Sequence, residues 1–150
     1  MDNNFILSQL PYSSPFLFVD KILEVNENSI VGEFTFSPDL DFYKGHFKNN
    51  PVTPGVILTE CMAQIGVVCL GIYLFNNNGN NGEKQKVSLT SSEVEYLKPV
   101  YPGEKVIVSS EKQYFRFNKL KCRVKMKDTE DNLVCQGVIA GMMFQEEAKK

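Results

Sequence analysis

The hydrophobic and polar positions change rhythm several times along the chain, and each change predicts an element. Residues Asn3 to Leu10 put Phe5, Ile6 and Leu10 on the core side of a short helix or turn that Pro11 ends. Phe16 to Val25, rich in aromatic and branched residues, predicts a strand, although its alternation is imperfect. Asn26 to Asn28 supply a turn. Ile30 to Phe36 then sets apolar Ile30, Phe34 and Phe36 against polar Glu33 and Thr35, so the two runs predict an antiparallel hairpin closed by Pro38.

The run from Val52 to Phe75 is apolar almost throughout and long enough to span a bilayer. Glu60 and Gln64 lie one turn apart within it, which is expensive in lipid, and no cluster of Lys or Arg flanks it. The pattern therefore predicts a helix buried by a surrounding sheet. Thr53 and Pro54 read as its N-cap and first helical residue. Small residues at Cys61, Ala63, Gly66, Cys69 and Gly71 would let strands approach its backbone. Asn76 to Lys84 is a polar loop. Beyond it, strands are expected at Lys86 to Leu97, Lys105 to Phe115, Leu120 to Lys127 and Leu133 to Phe144, broken at Pro99 to Gly103, at Asn118 and at Asp128 to Asn132. Hairpin, long helix and antiparallel meander make an α+β layout, with one helix against one sheet. A chain of 150 residues has the size of one domain, 1–150.

From Lys119 to Lys127 every odd position is cationic and every even position apolar. Such alternation describes a solvated sheet face with a buried back, and equally a docking face for an acidic partner. The formal net charge of -2 gives no overall attraction to nucleic acid or an anionic membrane. The N-terminus lacks the pattern of a secretory signal, so a cytoplasmic location is the expectation. Cys61, Cys69, Cys122 and Cys135 lack metal-ligand spacing and read as reduced packing thiols. No nucleotide-binding glycine motif occurs, which leaves chemistry without a bound cofactor or metal as the expectation.

The candidate chemistry lies between Gly45 and Gln64. His46 is the only histidine, and Glu60 is the one ionisable group in the apolar run. A carboxyl there is costly to bury ionised, and burial raises its pKa toward that of an acid useful at neutral pH; imidazole is the matching base. At the helix start, the N–H groups of Gly55 and Val56 lack intrahelical acceptors and can polarise a carbonyl oxygen, such as that of a thioester.

Leu10 to Asp20, Gly45 to Val56, Leu58 to Gln64 and Tyr96 to Glu104 together resemble the β-hydroxyacyl-acyl carrier protein dehydratases of the hot-dog fold, the specific pieces being G-H-F, P-x-x-P-G-V and E-x-M-A-Q in this order. The resemblance implies a curved antiparallel sheet around one long central helix, and a homodimer whose sites join His46 of one subunit to Glu60 of the other. It implies dehydration of 3-hydroxyacyl thioesters to trans-2-enoyl thioesters, in fatty acid or related polyketide or pigment biosynthesis. His46 would then be base, Glu60 acid and Gly55 the carbonyl donor, with Val56 beside it. No cofactor is implied beyond the phosphopantetheine arm of acyl carrier protein, the expected partner. Lys48 stands where the family usually has proline, and Tyr12 and Ser13 replace the usual His-Arg. A hot-dog thioesterase and a non-catalytic acyl-binding subunit are the alternatives on the same fold.

Overall fold

In a computed structural model of the chain, which describes residues 3–79 and 85–145, six strands form one antiparallel sheet in the order β1-β2-β4-β5-β6-β3. The strands are β1 (Lys21–Val25), β2 (Ser29–Thr35), β3 (Gln85–Tyr96), β4 (Lys105–Arg116), β5 (Lys119–Asp128) and β6 (Leu133–Gln145). Helix α1 (Asn3–Ser8) packs beside β1, and α2 (Gly55–Asn77) lies against the sheet. Within α2, Gln64–Cys69 is a π-helical segment between two α-helical ones. Register shifts interrupt the ladders at Ile22/Glu24, Leu89/Ser91, Lys112/Tyr114 and Met126/Lys127. Such shifts bend strands, and here they curve the sheet around α2.

Alternation decides which face does this. On β2, β4 and β5, Ile30, Phe34, Val106, Val108, Leu120, Cys122, Val124 and Met126 are buried toward the helix, while the odd-numbered neighbours face outward. The helix carries little hydrophobic asymmetry over 61–70 because that whole stretch is buried. Its length and composition would suffice to cross a membrane, yet most of that apolar surface is covered by the fold. The small helix residues serve as expected. A Cβ on Gly66 would lie 3.0–3.1 Å from Val124 and Ser110, and one on Gly71 2.5 Å from the Met143 sulfur. Ser110, buried on the inner face, donates from its hydroxyl to the Gly66 carbonyl at 2.9 Å.

Several expectations require correction. The first strand begins at Lys21, not Phe16: the Phe18 N–H donates to the Gln64 side chain, and the Phe18 carbonyl accepts from the Cys61 thiol, so helix side chains replace a ladder here. The strands after α2 are not a simple meander. β3 pairs with β6 at the far edge, and residues 97–104 cross back to β4. In α1, Ile6 is buried, and just after it Leu10 packs on the core, whereas Phe5 stays half-exposed and Leu7 packs in its place. The expected loop starts late, since α2 runs on to Asn77; its 80–84 portion lies outside the described residues.

Candidate active site

The site assembles where the segment before α2 meets the helix start. A single 3₁₀ turn, Asp41–Lys44, delivers the chain to Gly45 and His46, and the His46 N–H is held by the Phe42 carbonyl at 3.0 Å. Val52 closes the loop: its N–H donates to the His46 carbonyl at 2.8 Å, and its own carbonyl lies 2.9 Å from the His46 Nδ1. A carbonyl only accepts, so Nδ1 carries a proton, and in the neutral imidazole Nε2 is then the nitrogen with the free lone pair. The imidazole stacks on Phe47 with centroids 4.2 Å apart. The loop thus sets both ring orientation and tautomer.

Pro54, not Thr53, is the N-cap of α2, and no side chain caps it. Thr53 is occupied elsewhere. Its N–H donates to the Val100 carbonyl at 2.8 Å and its hydroxyl shares a buried 2.5 Å hydrogen bond with Tyr43. The first intrahelical bonds come from Ile57 and Leu58 to the Pro54 carbonyl, which leaves the N–H groups of Gly55 and Val56 ahead of them without intrahelical acceptors. Tyr96 covers this start: its hydroxyl bonds Thr59 at 2.5 Å, and its ring would lie 3.2 Å from a Cβ on Gly55. Val56 is 74% exposed.

Glu60 sits half-buried on the second turn. Its Oε2 accepts from the Gln64 amide at 2.9 Å. Burial raises the Glu60 carboxyl above its ordinary range and the Gln64 donation opposes that rise. Tyr12, from the segment after α1, is pushed up to about 12 by burial, with Glu60 adding to the rise. A phenol therefore stands near the acid where the resembled family has histidine. Lys48 is exposed on the His46 loop.

Within one chain, then, His46 is tied to Val52, three residues before Gly55 and Val56 at the helix start, and Glu60 lies one turn on, but no hydrogen bond or ion pair joins His46 to Glu60 among the described residues. Gln64 is the functional candidate that charge-based sequence reading passes over. Its signal was its place one turn from Glu60 on the same face, and it is fully buried. A cleft lined by Ser29, Val31, Ser109, Arg123, Lys125 and Lys127 lies on the outer sheet face, apart from these residues. The four cysteines are free and buried, and burial raises each thiol.

A family model for the FabA-like domain matches residues 10–138. The chain is 35% identical over 149 residues to the 3-hydroxyacyl-[acyl-carrier-protein] dehydratase FabZ of Ehrlichia canis, covering 95% of each. It is 31% identical over 143 residues to the FabZ of Agrobacterium fabrum, covering 94% of this chain and 88% of the relative. Among solved structures, the dehydratase heterocomplex ApeI:P from Xenorhabdus doucetiae aligns at TM-score 0.77 with 13% identity, over 95% of this chain and 91% of that one. A hypothetical thioesterase from Streptococcus pneumoniae solved with coenzyme A aligns at 0.62 with 14% identity, over 85% and 87%. The two structures share the curved sheet around one helix.

Proposed function

Since the chain belongs to the FabA-like domain family, in its β-hydroxyacyl-acyl carrier protein dehydratase branch, we propose that it dehydrates 3-hydroxyacyl thioesters on acyl carrier protein to trans-2-enoyl thioesters in fatty acid biosynthesis. The observation that carries this reading is the His46 Nδ1 contact with the Val52 carbonyl, which leaves Nε2 as a fixed base. In the proposed step, Nε2 takes the α-proton and the C–H electron pair becomes the new C=C π bond. The C3–O pair leaves with its oxygen, which gains the Glu60 proton and departs as water. The free N–H of Gly55, with Val56 beside it, steadies the negative charge on the thioester oxygen as it develops. No cofactor enters the proposal beyond the phosphopantetheine arm that carries the substrate, and the location is cytoplasmic.

Two finer parts belong to the same proposal. The first is a homodimer whose sites join His46 of one subunit to Glu60 of the other. β3 supports it: this twelve-residue strand is a sheet edge, exposed from Lys86 to Tyr96 apart from half-buried Val87 and Val94. Long unprotected edges invite pairing, and a second copy covers this one. The second is the carrier's docking face. Lys119, Lys121, Arg123 and Lys125 form no ion pair among the described residues, and Lys127 reaches only exposed Asp131 at 3.2 Å. The row from Lys119 to Lys127 spans about 26 Å at ~3.3 Å per residue, suiting an acidic protein surface. At its end Phe117 is 91% exposed with φ 52°, in a two-residue turn where glycine or asparagine is usual.

The experiment gives the purified protein a 3-hydroxyacyl carrier thioester and follows enoyl formation and thiol release together. Enoyl without thiol is expected. Thiol without enoyl makes it a thioesterase, and neither product makes it a binding subunit. Mixing His46→Ala with Glu60→Gln tests the shared site: shuffled dimers regain about a quarter of wild-type activity if each site draws on two chains, and none if it draws on one. Reversing Lys121, Arg123 and Lys125 to Glu is expected to cut carrier-dependent turnover and its salt sensitivity; unchanged values refute the docking face.

A further inference from the structure

The cleft on the outer sheet face lies away from the helix start and takes no part in the dehydration step. It encloses about 330 Å³, at the lower end of the ~300–1,000 Å³ of small-ligand pockets. The ladder builds it. On the outer face Ser109 of β4 lies beside Lys125 of β5, and Glu111 lies between Ser29 of β2 and Arg123. Lys127 completes the β5 side. Ser29 and Ser109 are short while the β5 side chains are long, and the difference leaves room over β2 and β4.

The lining is rich in donors that the protein itself leaves unused. Arg123 and Lys125 are exposed and form no ion pair among the described residues, and Lys127 reaches only Asp131, at 3.2 Å. Successive cations stand about 7 Å apart along β5, close enough to repel. Glu111 is the one carboxylate among the lining residues, and three cations against it leave a net charge of +2. The half-buried Ser109 hydroxyl has no hydrogen-bond partner among the described residues. The Ser29 hydroxyl has a long one, 3.4 Å from the Asn26 Oδ1.

Such a set suits a compact group with several oxygens and a charge near -2. A phosphate monoester carries about -1.5 to -2 at pH 7 on three terminal oxygens, so a guanidinium fork, two ammonium groups and a hydroxyl all find acceptors. A carboxylate brings one charge and two oxygens, and leaves part of the set unpaired. We propose that this cleft is a binding site for a small, soluble phosphate monoester. None of its lining residues is among the exposed large hydrophobic side chains, so it offers nothing to enter a bilayer, and the monoester of a lipid headgroup is the poorer fit. Arg123 and Lys125 also belong to the row proposed to receive the carrier. A bound monoester therefore competes with the carrier, a consequence that rests on that docking reading.

The decisive measurement needs neither carrier nor catalysis. Glycerol 3-phosphate is titrated into the purified full chain at constant ionic strength, with glycerol as the control, and the backbone ¹⁵N–¹H signals are followed. Saturable movement of the Ser109 and Lys125 amides is expected, and none with glycerol. Arg123→Gln and Lys125→Gln are each expected to weaken binding about tenfold, and Ser109→Ala about threefold. Glu111→Gln tightens it about threefold, because the opposing carboxylate is gone. Lys119→Gln, on the same face beyond the cleft, changes it less than about twofold. No saturation, or equal weakening by Lys119→Gln and Lys125→Gln, overturns the site in favour of diffuse charge. Vesicles containing phosphatidic acid that retain the protein, when glycerol 3-phosphate does not bind, overturn it in favour of a lipid surface. Adding glycerol 3-phosphate to the carrier assay then reads the competition: binding without loss of carrier-dependent turnover places the carrier elsewhere and leaves the site standing.

Discussion

The buried hydrogen bond between Tyr43 and Thr53 ties the turn that carries His46 to the residue that precedes the helix start. Tyr43 is 7% and Thr53 4% exposed, so a hydroxyl that loses its partner there finds no water. Tyr43→Phe strands the Thr53 hydroxyl and Thr53→Val strands the Tyr43 hydroxyl. Each single substitution is expected to cost about 1–3 kcal/mol. The double substitution removes both groups and leaves an apolar pair of nearly the same shape, so it costs clearly less than the sum. For a domain of this size each kcal/mol lowers Tm by about 2–4 °C. Urea unfolding at one fixed protomer concentration gives the four corners of the cycle. Dehydration kinetics give the second reading: kcat is expected to fall more in the singles than in the double, because the His46 loop loosens most when one hydroxyl is left unpaired. Additive costs, or singles below about 0.5 kcal/mol, would show that the bond does not couple the two segments.

Other expectations follow from features already described. His46→Ala is expected to reduce dehydration by about 10²–10⁴-fold with the circular dichroism spectrum unchanged, and near-normal turnover removes its assignment as base. Gly66→Ala forces a methyl against the side chains of Val124 and Ser110, both buried, and is expected to destabilise by about 1–3 kcal/mol in urea. The Lys98 ammonium, then the Asn132 and Glu130 N–H groups, hold the Asp128 carboxyl well below the usual range. Its folded pKa lies below the unfolded one, so its contribution is complete above about pH 4 and fades as pH falls further. The stability gap between wild type and Asp128→Asn should narrow from pH 5 to pH 2, and a constant gap would refute this.

Much of the fold was legible because alternation and burial share a period. The expected Lys105 to Phe115 and Leu120 to Lys127 strands differ from the observed ones by a residue at most ends, since Val106, Val108, Val124 and Met126 must face the helix while their neighbours face water. Pairing was not legible. Nothing local in β3 distinguishes β4 from β6 as its neighbour, and that choice depends on residues 97–104, where the Val100 carbonyl accepts from the Thr53 N–H just before the helix start. Phe16 to Asp20 looked like strand because it is aromatic and branched, but backbone partners, not propensity, decide a ladder, and Gln64 and Cys61 supply those partners. His46, Gly55 and Glu60 were visible as chemistry out of place in a loop and an apolar run. The Thr53 cap failed because a buried tyrosine competes for the same hydroxyl. Gln64 stayed in the background because its importance lies in three distances that no spacing encodes.

The main-chain bond from Phe18 to the Gln64 oxygen offers a window on the site through hydrogen exchange. Phe18 lies outside every strand, yet its amide is buried and held by the residue that holds Glu60. Its deuterium uptake therefore reports local openings around Gln64, forty-six positions away in the chain. Protection of this amide under EX2 conditions measures the free energy of opening the Gln64 cluster, which also holds the Glu60 carboxyl, in the resting protein and without substrate.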